Sequence, residues 1–524
     1  MLRCYLDQRA RYSKKRFKDL SITARAHFHA TPRREIVPVI GAAVVAVVVR
    51  YSYKALMRMG EEREEYLEEL AAYEDKYGPI GEGYSSGGDN STKSAPLGSL
   101  GLDLGSANIR VAYVPSGSSS EPRVIEDREG GRSTPNSILL EEEEIYEHGV
   151  SAIGRLAKAK VHERCFRAES EHVLNPWKLL QTKDDRAETA TQAVIRSALI
   201  SAMEKATGKK YSMGKSSPFV FSKDNERLFN LKTVFTYPVG LSTVGGVGDD
   251  EFINIYRKAL NGLYEDSQNV RMVPEPIATM AAAEHFSLFP KGSDSTNPSL
   301  LIDVGADAMV MSLVSKDEVI SSSRIPGVGA EILTDALVKH MDDGFQKSIS
   351  SSVSLLETDG MARQRMYDGA EVAVAELSNM TRTSISLPFL SVDPKSFQPR
   401  HLNESFSRGV LSSIVDSMIP ARLGQAQKFE LLSSSITHPN SLNALIASMA
   451  MGLFEQNSTN PFQLRAVIMV GGGSRSPIFQ SACREALATL GGEQFVSERL
   501  IVPTDEKVEE LTVLGAALYG GECK

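Results

Sequence analysis

One local pattern occurs twice and constrains the fold more than any other feature. An apolar strand carrying a single carboxylate turns through small residues and resumes as a second strand. It runs "GLDLGSANIRVAYV" from Gly101 to Val114, and two hundred residues on "LLIDVGADAMVMSLV" from Leu300 to Val314. Where the tip lacks bulky side chains, backbone N–H groups can approach a phosphate closely. An Asp at the end of the first strand repels phosphate directly but holds Mg²⁺ through water. Two such hairpins facing each other clamp a polyphosphate and its metal from both sides. Asp103 with Gly105 and Asp303 with Gly305 supply that arrangement. Each D-x-G alone is a common turn, so the weight lies in the repetition.

Two further motifs join the pair. "VIMVGGGSRSP" places Gly471, Gly472 and Gly473 directly after an apolar strand and before a helix, where a flat backbone and a helix N-terminus can meet a nucleoside. "PEPIATMAAA" sets Glu275 at a strand end ahead of a small-residue helix. Between these motifs strand and helix signals alternate, as in "LKTVFTYPV" and "NVRMVPEPIATMAAAEHF", which is α/β grammar. Ser-rich stretches near Ser348–Ser354 and Leu431–Ser441 read as surface loops or insertions.

The four motifs in this order resemble the Hsp70 family, within the actin/sugar-kinase/Hsp70 superfamily, over residues 99–521. The resemblance is to the nucleotide-binding domain alone; the sequence ends at "GAALYGG" and three further residues, so no peptide client site of Hsp70 type is expected. "GRSTPNSI", "IGRLAKAK" and "GVGAEILTDAL" around Glu331 support the match. The resemblance implies an α/β, two-lobed actin-like/Hsp70 ATPase fold with duplicated RNase H-like cores, binding ATP/ADP and Mg²⁺ between the lobes. It implies Asp103, Gly105, Ser106, Glu275, Gly305, Glu371, Ser378, Gly471, Gly472, Gly473 and Arg475 as nucleotide contacts. Asp103 and Asp303 would hold Mg²⁺ through water, and Lys158 and Asp303 would carry the chemistry, Lys158 by neutralising the γ-phosphate.

Departures from the family pattern fall at the phosphate and adenine positions. Ala107 replaces one of two hydroxyl residues in the first tip, and the second tip reads Gly305, Ala306, Asp307, Ala308 where the family has three glycines and a threonine. Asp307 brings negative charge to the γ-phosphate position, where like charges ~4 Å apart repel by about 4 kcal/mol at a surface-like dielectric unless a cation offsets them. In "AEVAVAELSN", Val374 and Ala375 stand where the family carries basic residues against adenine. Phosphoryl transfer depends on positioning and charge neutralisation, so these changes predict slow or absent hydrolysis on an intact fold.

The N-terminus has a separate character. Residues 1–35 hold ten Lys/Arg against Asp7, Asp19 and Glu35, and read as a basic tail or targeting segment. "IVPVIGAAVVAVVV" (residues 36–49) is uncharged and apolar. It is short against the ~20 residues of a span, but snorkelling Arg50 and Lys54 with interfacial Tyr51 and Tyr53 extend it, giving an expected single transmembrane anchor over 36–57. The mitochondrial inner membrane is the first expectation for its location and the ER membrane the second. Residues 58–98 read as a charged helix, with Tyr66, Leu70, Tyr73 and Tyr77 in one stripe, followed by a Gly/Ser/Pro linker. Lobe I is expected over 99–292 and lobe II over 293–524, the chain returning to lobe I at its end. The stripe at 60–77 or the lobes themselves would meet a protein partner.

A formal charge of −8 argues against a nucleic-acid binder. Four scattered cysteines and nine histidines without ligand spacing indicate neither a disulfide framework nor a zinc site. Three readings stand side by side. The first is a membrane-anchored nucleotide switch with weak ATPase activity. The second is a nucleotide-free pseudo-ATPase serving as a structural subunit of a membrane complex, favoured by Asp307, Val374 and Ala375. The third is a small-molecule kinase, for which no catalytic acid is evident.

Overall fold

The computed structural model describes residues 98–521, apart from 116–120, 128–129, 141–149, 154–172, 208–231, 242–248, 262–269, 349–353, 393–397, 426–431, 434, 437 and 504. The expected anchor at 36–57, the helix at 60–77 and Lys158 lie outside the described residues. No helix among the described residues is long and apolar enough to cross a membrane.

In chain order the first half runs through strands β1 (Gly98–Leu104), β2 (Asn108–Pro115), β3 (Arg123–Val124), β4 (Thr134–Pro135), β5 (Ile138–Leu140), β6 (Val150–Ile153) and β7 (Val173–Leu174). Helices α1 (Pro176–Thr182) and α2 (Ala187–Thr207), strand β8 (Lys232–Tyr237), helix α3 (Asp249–Asn261), strand β9 (Val270–Pro274) and helix α4 (Glu275–His285) follow. The second half opens with β10 (Ser299–Val304), β11 (Ala308–Ser315) and β12 (Glu318–Pro326), then α5 (Glu331–Ser348) and α6 (Gly360–Asn379). A hairpin of β13 (Arg382–Val392) and β14 (Pro399–Ser407) leads to α7 (Arg408–Gln425) and α8 (Leu442–Asn457). The chain closes with β15 (Val467–Val470), α9 (Pro477–Arg499), β16 (Leu500–Ile501) and α10 (Asp505–Gly521).

The two main sheets share one plan. Sheet I is ordered β3-β2-β1-β8-β9, and sheet II β12-β11-β10-β15-β16. In each, the carboxylate-bearing strand pairs antiparallel with its hairpin partner on one side and parallel with a later strand on the other. Both strands are almost wholly buried, because helices cover both faces; hence their near-continuous apolar sequence.

Alternation along the strands assigns the faces. Leu100, Leu102 and Leu104 join α2 and α3 in one core, and Leu300, Ile302 and Val304 join α5, α8 and α9 in another. Each such leucine, fully buried, contributes roughly 1.5–3 kcal/mol. The opposite faces meet α4 and α10, whose side chains share a third core with Val234 of sheet I and Leu301 and Ile468 of sheet II. Those two helices therefore lie between the sheets. Their approach is close: a Cβ on Gly515 would overlap the Ala278 carbonyl, and Thr279 and Thr512 share a hydrogen bond of 2.9 Å at the crossing.

Candidate functional site

The two hairpin tips are built alike. The Gly105 amide donates to the Asn108 carbonyl at 3.0 Å, and the Gly305 amide to the Ala308 carbonyl at 3.0 Å. In the first tip the carbonyl of Gly105 accepts from Asn136 Nδ2 (2.9 Å), that of Ser106 from Asn175 Nδ2 (2.7 Å), and that of Ala107 from the Asn136 amide (2.8 Å). In the second tip the carbonyls of Gly305, Ala306 and Asp307 accept from the amides of Ala330 (2.8 Å), Glu331 (2.9 Å) and Gly327 (2.7 Å). All three acceptors of each tip are thus tied from behind. The Ser106, Ala107, Ala306 and Asp307 amides donate to no described residue. A tip that has spent its acceptors and kept its donors is an anion cradle.

The second tip also explains the glycine of "GVGAE". A Cβ on Gly329 would strike the Ala306 carbonyl and lie 2.7 Å from the Ala308 nitrogen. The first tip uses Asn175 instead, which caps α1 by accepting from the Lys178 amide while its Nδ2 holds Ser106. That cap places Trp177 at the cleft, 3% exposed, its ring tilted at 58° to that of Phe252 with centroids 5.2 Å apart.

Between the tips lies a cleft of about 240 Å³, whose walls include Asp103, Glu275, Asp303 and Gly471. Gly471 follows β15 with φ +86°, and a Cβ there would collide with the Asp303 carboxylate. The Gly471 amide donates to the Val508 carbonyl at 2.9 Å, fixing the loop against α10. Glu275 is the first residue of α4, so its carboxylate sits at a positive helix end.

Three carboxylates share this space, Asp103 buried and Asp303 and Glu275 partly so. Burial raises Asp103, against the hydrogen bond it accepts from Thr236 Oγ1 at 2.7 Å and the pull of Arg110. Burial pushes Asp303 up to about 6, helped by Asp103 and opposed by Arg324 and Arg110. Glu275 is raised well above the usual carboxylate range by burial and then by both aspartates, with Arg324 opposing.

The two arginines come from equivalent rows. Arg110 is the direct cross-strand partner of Asp103, and its guanidinium pairs with Glu509 of α10, which also accepts from Arg475 at 2.9 Å. Arg324 lies in line with Asp303 through Val310, one strand further out. It is 6% exposed, stands 3.5 Å from the Asp307 carboxylate and passes 5.9 Å from the Trp177 ring centre. The added charge of Asp307 is therefore offset from within the second sheet.

Of the residues singled out from sequence, Asp103, Gly105, Ser106, Glu275, Asp303, Gly305, Gly471 and Gly472 line this cleft. Gly473 packs beside it against Val304, where a Cβ would overlap that side chain. Arg475 is half exposed and engaged with Glu509. Glu371 is exposed on α6, and the Ser378 hydroxyl donates to the Val374 carbonyl at 3.1 Å; neither is in the cleft wall. Lys158 falls outside the described residues. Lys178 on α1 does act near the second tip, drawing Glu331 down against the burial that raises it. Arg110, Asn175, Trp177, Arg324 and Glu509 were not singled out from sequence.

Two equivalent sheets, each presenting a carboxylate and a donor-rich tip to a common cleft, make up a mixed α/β domain consistent with the Hsp70 ATPase fold. The family model described as "Hsp70 protein" matches residues 268–493. The chain is 25% identical over 445 residues to the chaperone protein DnaK of Thermus thermophilus, covering 80% of this chain and 60% of that protein. The DnaK of a second strain of the same organism gives the same figures. The chain thus spans about 60% of the length of these curated relatives. These matches support a divergent nucleotide-binding domain of Hsp70 type.

A nucleotide polyphosphate fits the residues present, with free amides on both tips and a glycine loop at the far wall. Mg²⁺ does not fit equally. Among the described residues no three carboxylate, His or Cys side chains converge as direct ligands, and the guanidiniums of Arg110 and Arg324 line the same cleft as the carboxylates that would hold its waters.

Proposed function

We propose that the chain binds ATP or ADP in the cleft between the paired hairpins, hydrolyses it slowly or not at all, and acts as a chaperone-related nucleotide switch. The observation that carries this reading is the matched pair of tips, acceptors tied and donors free. The tips would hold the phosphates, and Gly471 and Gly472 would meet the nucleoside. Slow turnover follows from Ala107 and Ala308, which offer no hydroxyl, and from Asp307, whose charge is offset but not removed. Opening and closing of the lobes would be the output, read by a protein partner.

Residues 36–57 would anchor the switch to a membrane, with the mitochondrial inner membrane as first choice and the ER second. The support is the basic tail, the apolar run and the flanking Arg50, Tyr51, Tyr53 and Lys54. Alkaline extraction tests it: an anchored chain stays in the membrane pellet, and release into the supernatant removes the anchor from the reading.

A second reading has one observation in its favour. The Arg110–Glu509–Arg475 and Arg324–Asp307 pairs occupy the site's arginines internally, as expected of a nucleotide-free pseudo-ATPase acting as a structural subunit. Thermal unfolding of the full chain with ATP, ADP or neither separates the two, since a ligand raises the melting temperature only of a state that binds it. A rise of several degrees with either nucleotide supports the switch, and no shift with both leaves the structural subunit.

A further inference from the structure

The described residues lining the cleft include two guanidiniums, and their placement bears on what neutralises a bound phosphate. Arg110 faces Asp103 across the first hairpin, and Arg324 shares a row with Asp303 in sheet II. Both line the cleft and both are largely buried, at 13% and 6% side-chain exposure. Arg110 stands directly across from Asp103, and Arg324 shares the row of Asp303 and pairs with Asp307, so two fixed cations occupy the cleft beside these carboxylates. A guanidinium cannot be deprotonated in a protein and presents a fork of N–H donors suited to phosphate oxygens. A hydrated divalent cation in the same space would meet two permanent positive charges.

Resting on the nucleotide-binding reading above, we propose that Arg110 and Arg324 stand in for the divalent cation, so that this cleft binds nucleotide without Mg²⁺. On phosphate arrival Arg110 exchanges Glu509, and Arg324 exchanges Asp307, for phosphate oxygens. The internal pairs hold the two forks near the tips until then. Glu509 retains Arg475 as a partner when Arg110 turns away.

The test is titration of the full chain with ADP, followed by calorimetry, once in EDTA and once in buffer with excess Mg²⁺. Affinities within about twofold in the two buffers are expected. A gain of about tenfold or more from Mg²⁺, equal to ~1.4 kcal/mol, would overturn the inference while leaving nucleotide binding in place. Binding in neither buffer would overturn both. Arg110→Met and Arg324→Met are each expected to weaken ADP binding in EDTA about tenfold or more, and unchanged binding by both variants would remove the assignment to these side chains. Should Arg324→Met fail to fold, Arg324→Lys serves in its place. That variant keeps the charge but loses the fork, and is expected to bind ADP more weakly than the parent chain. Electron spin resonance of Mn²⁺ with the nucleotide-free chain adds an independent readout, expected to show no uptake; a tightly bound Mn²⁺ would count against the substitution of arginines for metal.

Discussion

Arg324, from the outer strand of the second sheet, stands 3.5 Å from the carboxylate of Asp307 at the neighbouring tip. The pair turns an apparent defect, a negative charge where phosphate should lie, into one half of an internal ion pair. Its two members are not equivalent, because Arg324 also acts on Asp303 and Glu275 whereas Asp307 is a quarter exposed.

Unequal consequences follow for their removal. Arg324→Met leaves Glu275 without the cation that opposes its rise and Asp303 with Arg110 alone, and is expected to cost about 2–4 kcal/mol in the nucleotide-free chain. Asp307→Asn loses one long, partly solvated contact and is expected to cost under ~1 kcal/mol. Urea unfolding at pH 7 measures both, and equal losses would mean that the pair alone sets the cost.

The pH dependence of stability is expected to carry the mark of Asp303. Its folded value of about 6 lies above the ordinary 3.8, so between those values the folded state holds a proton that the unfolded state has released. Its contribution to stability therefore falls as pH rises from about 4 to about 6, and stays lost above that. Asp303→Asn removes this loss. The variant should gain up to about 3 kcal/mol on the parent chain at pH 7, relative to their difference at pH 4. Paired unfolding curves at the two pH values check the sign, and a gain at pH 4 instead would reverse the assignment. Glu275 shifts in the same direction and extends the effect upward in pH.

Trp177 is the only tryptophan in the chain, and it lines the cleft with its indole nitrogen buried and unpartnered. Intrinsic emission should therefore be blue-shifted in the nucleotide-free protein and change in intensity when ADP is added. A titration of that signal should give the same dissociation constant as calorimetry. Emission that ignores a ligand seen by calorimetry would place that ligand elsewhere.

Gly515→Ala introduces a methyl group where the Ala278 carbonyl already lies, in the layer between the sheets. It is expected to cost about 3 kcal/mol, by a shift of α10 that also displaces Glu509. Gly360→Ala serves as the contrast. A Cβ there meets nothing within 4 Å at the first turn of α6, and the change should be neutral or stabilising by about 0.5 kcal/mol. Melting temperatures of the two variants decide the matter.

The hairpins were legible because a tight turn fixes its own register. Once Gly105 pairs with Asn108, Asp103 must face Arg110, and the quoted stretch contained both. Arg110 could have been found that way. Arg324 could not, since its alignment with Asp303 depends on the β11–β12 pairing, which includes an irregularity near Leu313. Glu509 was hidden for a different reason: a helix at the far end of the chain must fold back on the first sheet before its carboxylate reaches Arg110. Asn136 lay inside a quoted motif, "GRSTPNSI", but its two contacts to the first tip are tertiary and carry no local pattern. Trp177 offered one signal, a lone large aromatic just after an Asn-Pro helix start.

The closure of β1 by α10 has a bearing on how the protein is made. Ser99 Oγ donates to the Ala517 carbonyl at 2.5 Å, across 418 residues of chain. At ~5–20 residues per second of synthesis, roughly 20–80 s separate the emergence of these two partners from the ribosome. For that interval the first sheet lacks the helix that covers its inner face, and the cleft lacks Glu509. The growing chain therefore holds an apolar strand surface open until nearly all of the domain has been translated. A premature stop ahead of residue 505 would leave that surface open for the life of the product, with every motif of the first hairpin present and no site formed.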